Sequence, residues 1–353
     1  MRKKRFMLFG KDVSNDSPGE ALVIAEAGIN HDGNFKKALK LVDVAIVAKA
    51  DAVKFQTFIP AEVISRQAIS SSYIKEGSHK GENFLDLAKR LEITFDKQED
   101  IFNYCKKNKI KFLSTPFDEK SLDFLVDLGV EAIKIASGDL TNFPFLEKVS
   151  RTRLPVILST GMASYAEIKE AYKLLLKNRA RRIILMHCVS WYPSRIKDMN
   201  IRVIDTLHKM SGLPVGLSDH SLGIAVPLAA RAKGVKIFEK HFTLNTADFG
   251  PDHKASLSPE DLKNMVKGIR EVGACLGNGT KRIMPIELKQ RLVHRRSLVA
   301  ARDIASGEIL KSEMLKLKRP GTGIAPKYLD RVIGKKTAVD IAQDEVICWN
   351  MLR

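Results

Sequence analysis

Cysteine is scarce in this chain of 353 residues: Cys105, Cys188, Cys275 and Cys348, with no Cys-x-x-Cys pair among them. That spacing excludes a disulfide framework and a structural zinc site, and leaves reduced, mostly buried thiols as the expectation. Long apolar runs are missing too. None approaches the roughly 20 residues needed to cross a bilayer, so no membrane partner is expected. The start, MRKKRFMLFG, is basic and then briefly apolar, but Lys11 and Asp12 end the apolar stretch and no small-residue cleavage site follows. A cytoplasmic protein is expected. No apolar run is followed by Gly-x-Gly-x-x-Gly, which argues against a dinucleotide-binding open sheet. Acidic residues are the minority charge, 41 against 59 Lys and Arg, for a net charge of +18. The excess is spread along outer helix faces (Lys36, Lys37, Lys40; Lys169, Lys173, Lys177), and no helix-turn-helix, RNA-binding aromatic signature or zinc finger accompanies it. Diffuse charge of this kind reads as solvated surface that helps to collect an anionic substrate, with no nucleic acid as partner.

What is present is a repeated unit: a short β-branched run, one or two polar residues, then an amphipathic stretch. Eight such runs are Leu22–Glu26, Ala52–Gln56, Lys111–Ser114, Ala132–Ile135, Pro155–Ser159, Arg182–His187, Pro214–Ser218 and Val235–Glu239. Between them, Phe35, Ala38, Leu39, Val42, Ala45 and Ile46 recur at helical spacing. A Ser164-x-x-Glu167 capping box opens another helix, and Ser258 followed by Pro259 opens a long last one. Strands alternating with helices require a parallel sheet, and eight is the number that closes one. The expectation is an α/β fold, a (β/α)8 TIM barrel over residues 1–280. A polar linker over 281–295 and a small β-rich domain over 296–353 follow, the latter marked by turns at Gly307, Pro320-Gly321, Gly323 and Gly334.

In such a barrel the chemistry gathers at the carboxyl ends of the strands. The runs here end in Glu26; Lys54 and Gln56; Ser114-Thr115; Lys134, then Ser137-Gly138; Ser159-Thr160-Gly161; His187-Cys188, then Ser190 and Tyr192; Ser218-Asp219-His220; and Glu239-Lys240-His241. Two lysines inside one barrel call for an anion between them. Hydroxyls beside glycines suit a phosphate or carboxylate. His220 and His241, at the ends of neighbouring strands, suit a divalent metal with open positions. His187 reads as core, and His31, His208, His253 and His294 carry no ligand case of their own.

The segment IAEAGINHDGNFKKALKLVDVAIVAKADAVKFQTF resembles the opening of the sialic acid synthases. LSTPFD, IKIASGDLTNFPFL, ILSTGMA, GLSDHS, EKHFTL and GPDHKASLSPEDL follow in that family's order, and the C-terminal IASGEIL and KRPGTGI resemble its antifreeze-like (SAF) domain. The resemblance spans nearly the whole chain. It implies a homodimer with a swapped C-terminal domain, the small domain of one subunit covering the barrel mouth of the other. It implies phosphoenolpyruvate and an N-acetylated amino sugar as substrates, and a divalent cation, usually Mn2+, with Mg2+ or Co2+ as alternatives. By motif, His220 and His241 would hold the metal, and Lys54, Thr115, Lys134, Ser137 and Ser159 would bind phosphoenolpyruvate. Glu26, Tyr192, Glu239 and Asp252 would position the sugar, and Arg319 would reach its N-acyl group. Glu26, Glu239 and Lys54 are the catalytic candidates. The implied activity is that of an N-acetylneuraminate synthase acting on N-acetylmannosamine. The alternatives are a legionaminate- or pseudaminate-type synthase using a diacetamido-6-deoxy sugar, and a synthase using N-acetylmannosamine 6-phosphate. One departure bears on this choice: Ser190 stands where N-acetylmannosamine synthases often carry Asn, two residues before Tyr192-Pro193. Outside the family, the rivals are a metal-dependent aldolase using free pyruvate and a stand-alone ice- or carbohydrate-binding role for the C-terminal domain.

Overall fold

The computed structural model describes residues 5–14, 19–180 and 182–353 and divides the chain into two compact units, Met1–Gly277 and Asn278–Arg353. In the first unit eight parallel strands form one sheet: β1 (Leu22–Gly28), β2 (Ala52–Thr57), β3 (Lys111–Pro116), β4 (Ile133–Ile135), β5 (Val156–Ser159), β6 (Ile183–His187), β7 (Val215–Asp219) and β8 (Ile237–His241). Their order is β3-β2-β1-β8-β7-β6-β5-β4. β1 pairs with β8, and β3 and β4 lie side by side across a seam without a ladder, so the barrel is nearly closed. A helix follows every strand, as parallel connections require. The Ser164–Glu167 capping box is present, with the Ser164 side chain accepting from Glu167 N, and Ser258 caps the helix Pro259–Cys275 by accepting from Asp261 N.

The two-residue period of a strand decides what each residue faces. Ile24, Ala52, Leu113, Ala132, Ile157, Ile184 and Ile237 form one cluster that fills the barrel interior. Their neighbours Val23, Val53, Phe112, Ile133, Leu158, Leu185 and Phe238 belong to the layer between strands and helices. One step beyond the interior cluster, the same inward rows become Glu26, Lys54, Thr115, Lys134, Ser159 and Glu239. The interior is thus apolar below and ionisable above, which is the arrangement a cavity at the carboxyl ends needs.

Two features were not legible at the sequence level. An antiparallel hairpin, Met7–Leu8 with Lys11–Asp12, precedes β1. Its Leu8 and the following Val13, with Phe6 and Phe9 against them, join the interior cluster, so this short apolar run packs into the barrel. A 37-residue excursion, 58–94, separates β2 from its helix Phe95–Lys107 and carries three short helices, Pro60–Val63, Ser72–Glu76 and Phe84–Leu91. It has a small core of its own in Ile74, Leu87 and Leu91. Two glycines seat it against the barrel loops: a Cβ on Gly33 would lie 2.1 Å from the Arg90 carbonyl oxygen, and one on Gly77 would lie 2.3 Å from Pro251 N.

The second unit spans Asn278–Arg353. The stretch expected as a linker, 281–295, holds a helix over Pro285–His294, opened by Pro285 in the first turn with Glu287 accepting from Met284 N. None of its residues is buried, and Ile286, Leu288, Leu292 and Val293 are exposed, so its apolar residues do not mark a core as those of the barrel helices do. Beyond it, β9 (Ser297–Ala300) pairs antiparallel with β10 (Leu315–Lys318). The other short runs meet only in isolated bridges, such as Ile304–Ile341 and Ile309–Lys336, around a core of Leu298, Leu310, Ile324 and Val332.

Candidate active site

A cavity of about 460 Å³ opens at the carboxyl ends of the strands. Twelve of the thirteen residues singled out from sequence line it: Glu26, Lys54, Thr115, Lys134, Ser137, Ser159, Ser190, Tyr192, His220, Glu239, His241 and Asp252. The thirteenth, Arg319, is exposed on the second unit just after β10. Apolar residues of the excursion and its surroundings, among them Phe58, Ile64, Ile74 and Phe84, form another part of the wall. This wall is the element that strand-end reasoning could not find.

Two lysines and two carboxylates meet on the cavity floor. Lys54 Nζ lies 2.9 Å from Glu26 Oε2 and 3.8 Å from Glu239 Oε1, and it donates to Thr115 Oγ1 at 3.1 Å. Lys134 Nζ lies 3.5 Å from the same Glu239 oxygen and donates to Ser159 Oγ at 2.6 Å. Ser218 Oγ donates to Glu239 Oε1 at 3.0 Å. Both lysines are only 3% exposed. A buried ammonium is held by its partners, and the open cavity above these two leaves room for an anion that would share them.

The carboxylates are driven apart electrostatically. Burial pushes Glu26 up to about 7, with the Lys54 ammonium only partly opposing it. Burial would also raise Glu239, but Lys134, Lys54 and the Ser218 hydroxyl overcome it and hold that carboxylate at about 2. Near neutral pH one group therefore exchanges a proton while its neighbour stays ionised, the division of labour that acid–base chemistry uses. Burial likewise pushes Asp252 up to about 6.

The raised Glu26 has a stability signature. Between about 4.5 and 7 the folded chain keeps a proton that the unfolded chain has released, so this group's contribution to stability is lost as pH rises through that window. The variant Glu26→Gln removes the slope. Its melting temperature relative to the parent is expected to rise progressively from pH 4.5 to 7. A difference that stays flat with pH would show that Glu26 titrates normally.

The histidines sit beside this floor. His220 Nδ1 pairs with the Val189 carbonyl at 2.9 Å, which fixes that nitrogen as the donor and leaves Nε2 with a free lone pair. His241 Nδ1 is buried without a hydrogen-bond partner, 3.6 Å from Asp252 Oδ2. The two rings are 5.6 Å apart, with the Tyr192 ring 4.2 Å from that of His220. Burial lowers both imidazoles, His220 to about 4 and His241 well below its usual range, so both are neutral donors at pH 7. Two neutral imidazoles with a carboxylate close by fit a divalent cation, and the orphaned His241 nitrogen is the observation behind that fit. His187 does not take part: it faces outward and its Nε2 pairs with the Met199 carbonyl at 2.7 Å.

A second grouping could hold a metal by spacing. Ligand atoms of Asp32, Asp248 and His253 lie within 4.8 Å of one another. Lys37 Nζ already sits 2.5 Å from Asp32 Oδ2 and 2.6 Å from Asp248 Oδ2, so this cluster carries its own cation.

Two family models match the chain, the NeuB family over residues 41–281 and the SAF domain over residues 295–353. The N,N'-diacetyllegionaminic acid synthase of Campylobacter jejuni is 41% identical over 330 residues, 93% of this chain and 99% of that protein. The N-acetylneuraminate-9-phosphate synthase of Homo sapiens is 33% identical over 96% of this chain and 94% of that one. Among solved structures, the N-acetylneuraminic acid synthetase of Leptospira borgpetersenii superposes with a TM-score of 0.70 at 34% identity, covering 81% of this chain and 95% of that one. With its barrel matched by one model and its small domain by the other, this chain belongs to the NeuB family and carries a C-terminal SAF domain.

Proposed function

We propose that the chain is a nonulosonate synthase that condenses phosphoenolpyruvate with an N-acetylated mannose-type aldose and releases inorganic phosphate. The observation that carries this reading is the buried pair Lys54 and Lys134, converging on Glu239 beside two neutral imidazoles. The two ammonium groups, with the hydroxyls of Thr115, Ser137 and Ser159, take the carboxylate and phosphate of phosphoenolpyruvate. His220 and His241 would hold a divalent cation, which when bound would supply Lewis-acid chemistry toward the acceptor's aldehyde. Lys54 and Lys134 fix the enol so that its methylene carbon faces the aldehyde carbon, the two forming the new C–C bond. Glu239, ionised at neutral pH, stabilises the positive charge that develops at the enol carbon. Glu26, poised near neutrality, takes the proton of the water that adds there. The alkoxide formed at the aldehyde oxygen gains a proton in exchange for the one Glu26 takes from water. The tetrahedral adduct then loses phosphate by C–O cleavage as its new hydroxyl becomes the ketone and gives its proton to the departing phosphate.

The cavity wall bears on the acceptor. Among the described residues, Lys54 and Lys134 are the only lysines or arginines lining the cavity, and both are engaged on its floor rather than at a site for a phosphate on the sugar. An acceptor without a phosphate is therefore favoured. The apolar wall at Phe58, Ile64 and Ile74 suits extra methyl groups, and the higher identity to a diacetyllegionaminic acid synthase points the same way. The 2,4-diacetamido-6-deoxy sugar is accordingly preferred to N-acetylmannosamine. The homodimer, with Arg319 of a partner reaching the N-acyl group, belongs to the same reading and is supported by the exposed apolar side chains of the helix Pro285–His294.

A phosphate-release screen with Mn2+ tests this. Phosphate is expected from phosphoenolpyruvate only when sugar is present, with kcat/KM at least about tenfold higher for the diacetamido sugar than for N-acetylmannosamine. The 6-phosphate of N-acetylmannosamine is expected to be inert. Consumption of free pyruvate in place of phosphoenolpyruvate would sink the synthase reading.

A further inference from the structure

Asp252 reaches the cavity from a loop, residues 242–258, that has little backbone structure of its own. The loop is closed at its base, where Thr243 N donates to the Leu257 carbonyl at 3.0 Å and Leu257 N donates to the His241 carbonyl at 2.9 Å. Its tip holds only the single turn His253–Ala255. Side chains from the loop after β1 hold that tip on both sides of Asp252. On one side Asn30 Nδ2 donates to the Phe242 carbonyl and to Ser256 Oγ, both at 2.8 Å, and Ser256 Oγ donates to the Asp252 carbonyl at 2.6 Å. On the other side the His253 ring lies between two groups, Asp32 Oδ1 at 3.0 Å from Nε2 and Thr243 Oγ1 at 2.6 Å from Nδ1. A carboxylate only accepts, so Nε2–H donates to Asp32, while Nδ1 pairs with the Thr243 hydroxyl. Lys37 then ties Asp32 to Asp248, farther along the same loop.

His253 is fully buried, does not line the cavity, and is adjacent in sequence to the one loop residue that faces His241. We propose that His253, clamped between Asp32 and Thr243, is a positioning residue that aims the Asp252 carboxylate at the acceptor sugar. The proposal rests on the reading of Asp252 as an acceptor contact. Its physical basis is the sensitivity of a two-substrate reaction to placement: an error of about 1 Å in a positioning group can cost on the order of a hundredfold. An irregular loop can keep its carboxylate within that tolerance only through side-chain ties, and two of the ties here meet on the residue next to Asp252. Lys37 gives the Asp32–Asp248 pair its counter-charge, so the network acts as a clamp with no added cation.

The test uses the full chain with Mn2+, phosphoenolpyruvate and whichever of the diacetamido sugar or N-acetylmannosamine supports phosphate release. His253→Phe, which keeps a ring but loses both hydrogen bonds, is expected to raise KM for the sugar about tenfold or more and to leave KM for phosphoenolpyruvate within about twofold. Thr243→Val removes one tie with little change of shape and is expected to do the same more weakly; it carries the test if His253→Phe does not fold. Asp32→Asn, which still accepts from Nε2, is expected to stay close to the parent, whereas Asp32→Ala follows His253→Phe. In an Asp252→Asn background the His253→Phe change is expected to add less than about twofold. Equal rises in both KM values, or full additivity in that background, would overturn the proposal and leave His253 a loop stabiliser. If Asp252→Asn alone leaves KM for the sugar unchanged, the role of Asp252 itself falls, and the clamp loses its purpose with it.

Discussion

His241→Ala is expected to lower turnover by at least about a thousandfold and to remove the bound divalent cation. His241 Nδ1 is buried and has no hydrogen-bond partner, a costly state for a polar nitrogen unless something completes its shell. The neighbouring His220 is oriented by the Val189 carbonyl so that Nε2 carries the lone pair, and burial keeps both rings neutral. Calorimetric titration with Mn2+ reads the loss of binding directly, without reference to activity. The control is His187→Asn, also near the end of a strand, whose ring is taken up by the Met199 carbonyl. That variant is expected to keep the parent affinity. If His241→Ala binds Mn2+ as tightly as the parent, the metal does not sit on these histidines.

The second large effect lies on the opposite face of the same strands. Lys240 Nζ lies 2.5 Å from Asp219 Oδ2 and donates to the Ser221 carbonyl at 2.5 Å, and both members of the ion pair are 1% exposed. Breaking a buried pair from one side leaves an uncompensated charge, so Lys240→Met is expected to destabilise the barrel by about 3–5 kcal/mol. The double variant Asp219→Asn/Lys240→Met keeps an acceptor for Ser221 N and removes both charges. It is expected to recover most of the loss. Urea unfolding measures both variants, and a cost below about 1 kcal/mol for Lys240→Met would mean that water reaches the pair. KM for phosphoenolpyruvate is expected to be unchanged, because Lys240 points away from the cavity.

The alternating faces of a strand decide what could be read from the residues alone. The strings Ser218-Asp219-His220 and Glu239-Lys240-His241 look like uniform polar strand ends. Alternation splits each of them, sending Ser218, His220, Glu239 and His241 inward while Asp219 and Lys240 face each other outside, in register. The same two-residue rule identifies Lys54 and Lys134 as cavity groups and places His187 in the outer layer. Chemistry at strand ends was legible because the strand period is short and rigid. His253 was not, since its role depends on Asp32 and Thr243 meeting it from loops with no period at all. The excursion 58–94 escaped for a related reason: its core of Ile74, Leu87 and Leu91 is too small to impose a long hydrophobic pattern. The helix Pro285–His294 was hidden by its lack of any buried face, although Pro285 and Glu287 do mark a helix start.

The excursion has a consequence for how this barrel could be re-targeted. It supplies the apolar wall of the cavity yet belongs to no strand, and its ends leave β2 and enter the next helix as one continuous insert. Closing a loop of a different length costs only about 0.6 kcal/mol per doubling, so the whole segment can in principle be exchanged as a cassette while the lysines, histidines and carboxylates stay where the strands hold them. Gly33 and Gly77 set the terms of such a transplant. The incoming segment must again press its backbone against Gly33 and present a glycine of its own to Pro251, because neither junction has room for a methyl group. Chemistry and selectivity would then be inherited separately, one from the sheet and the other from a replaceable panel bolted to it at two points.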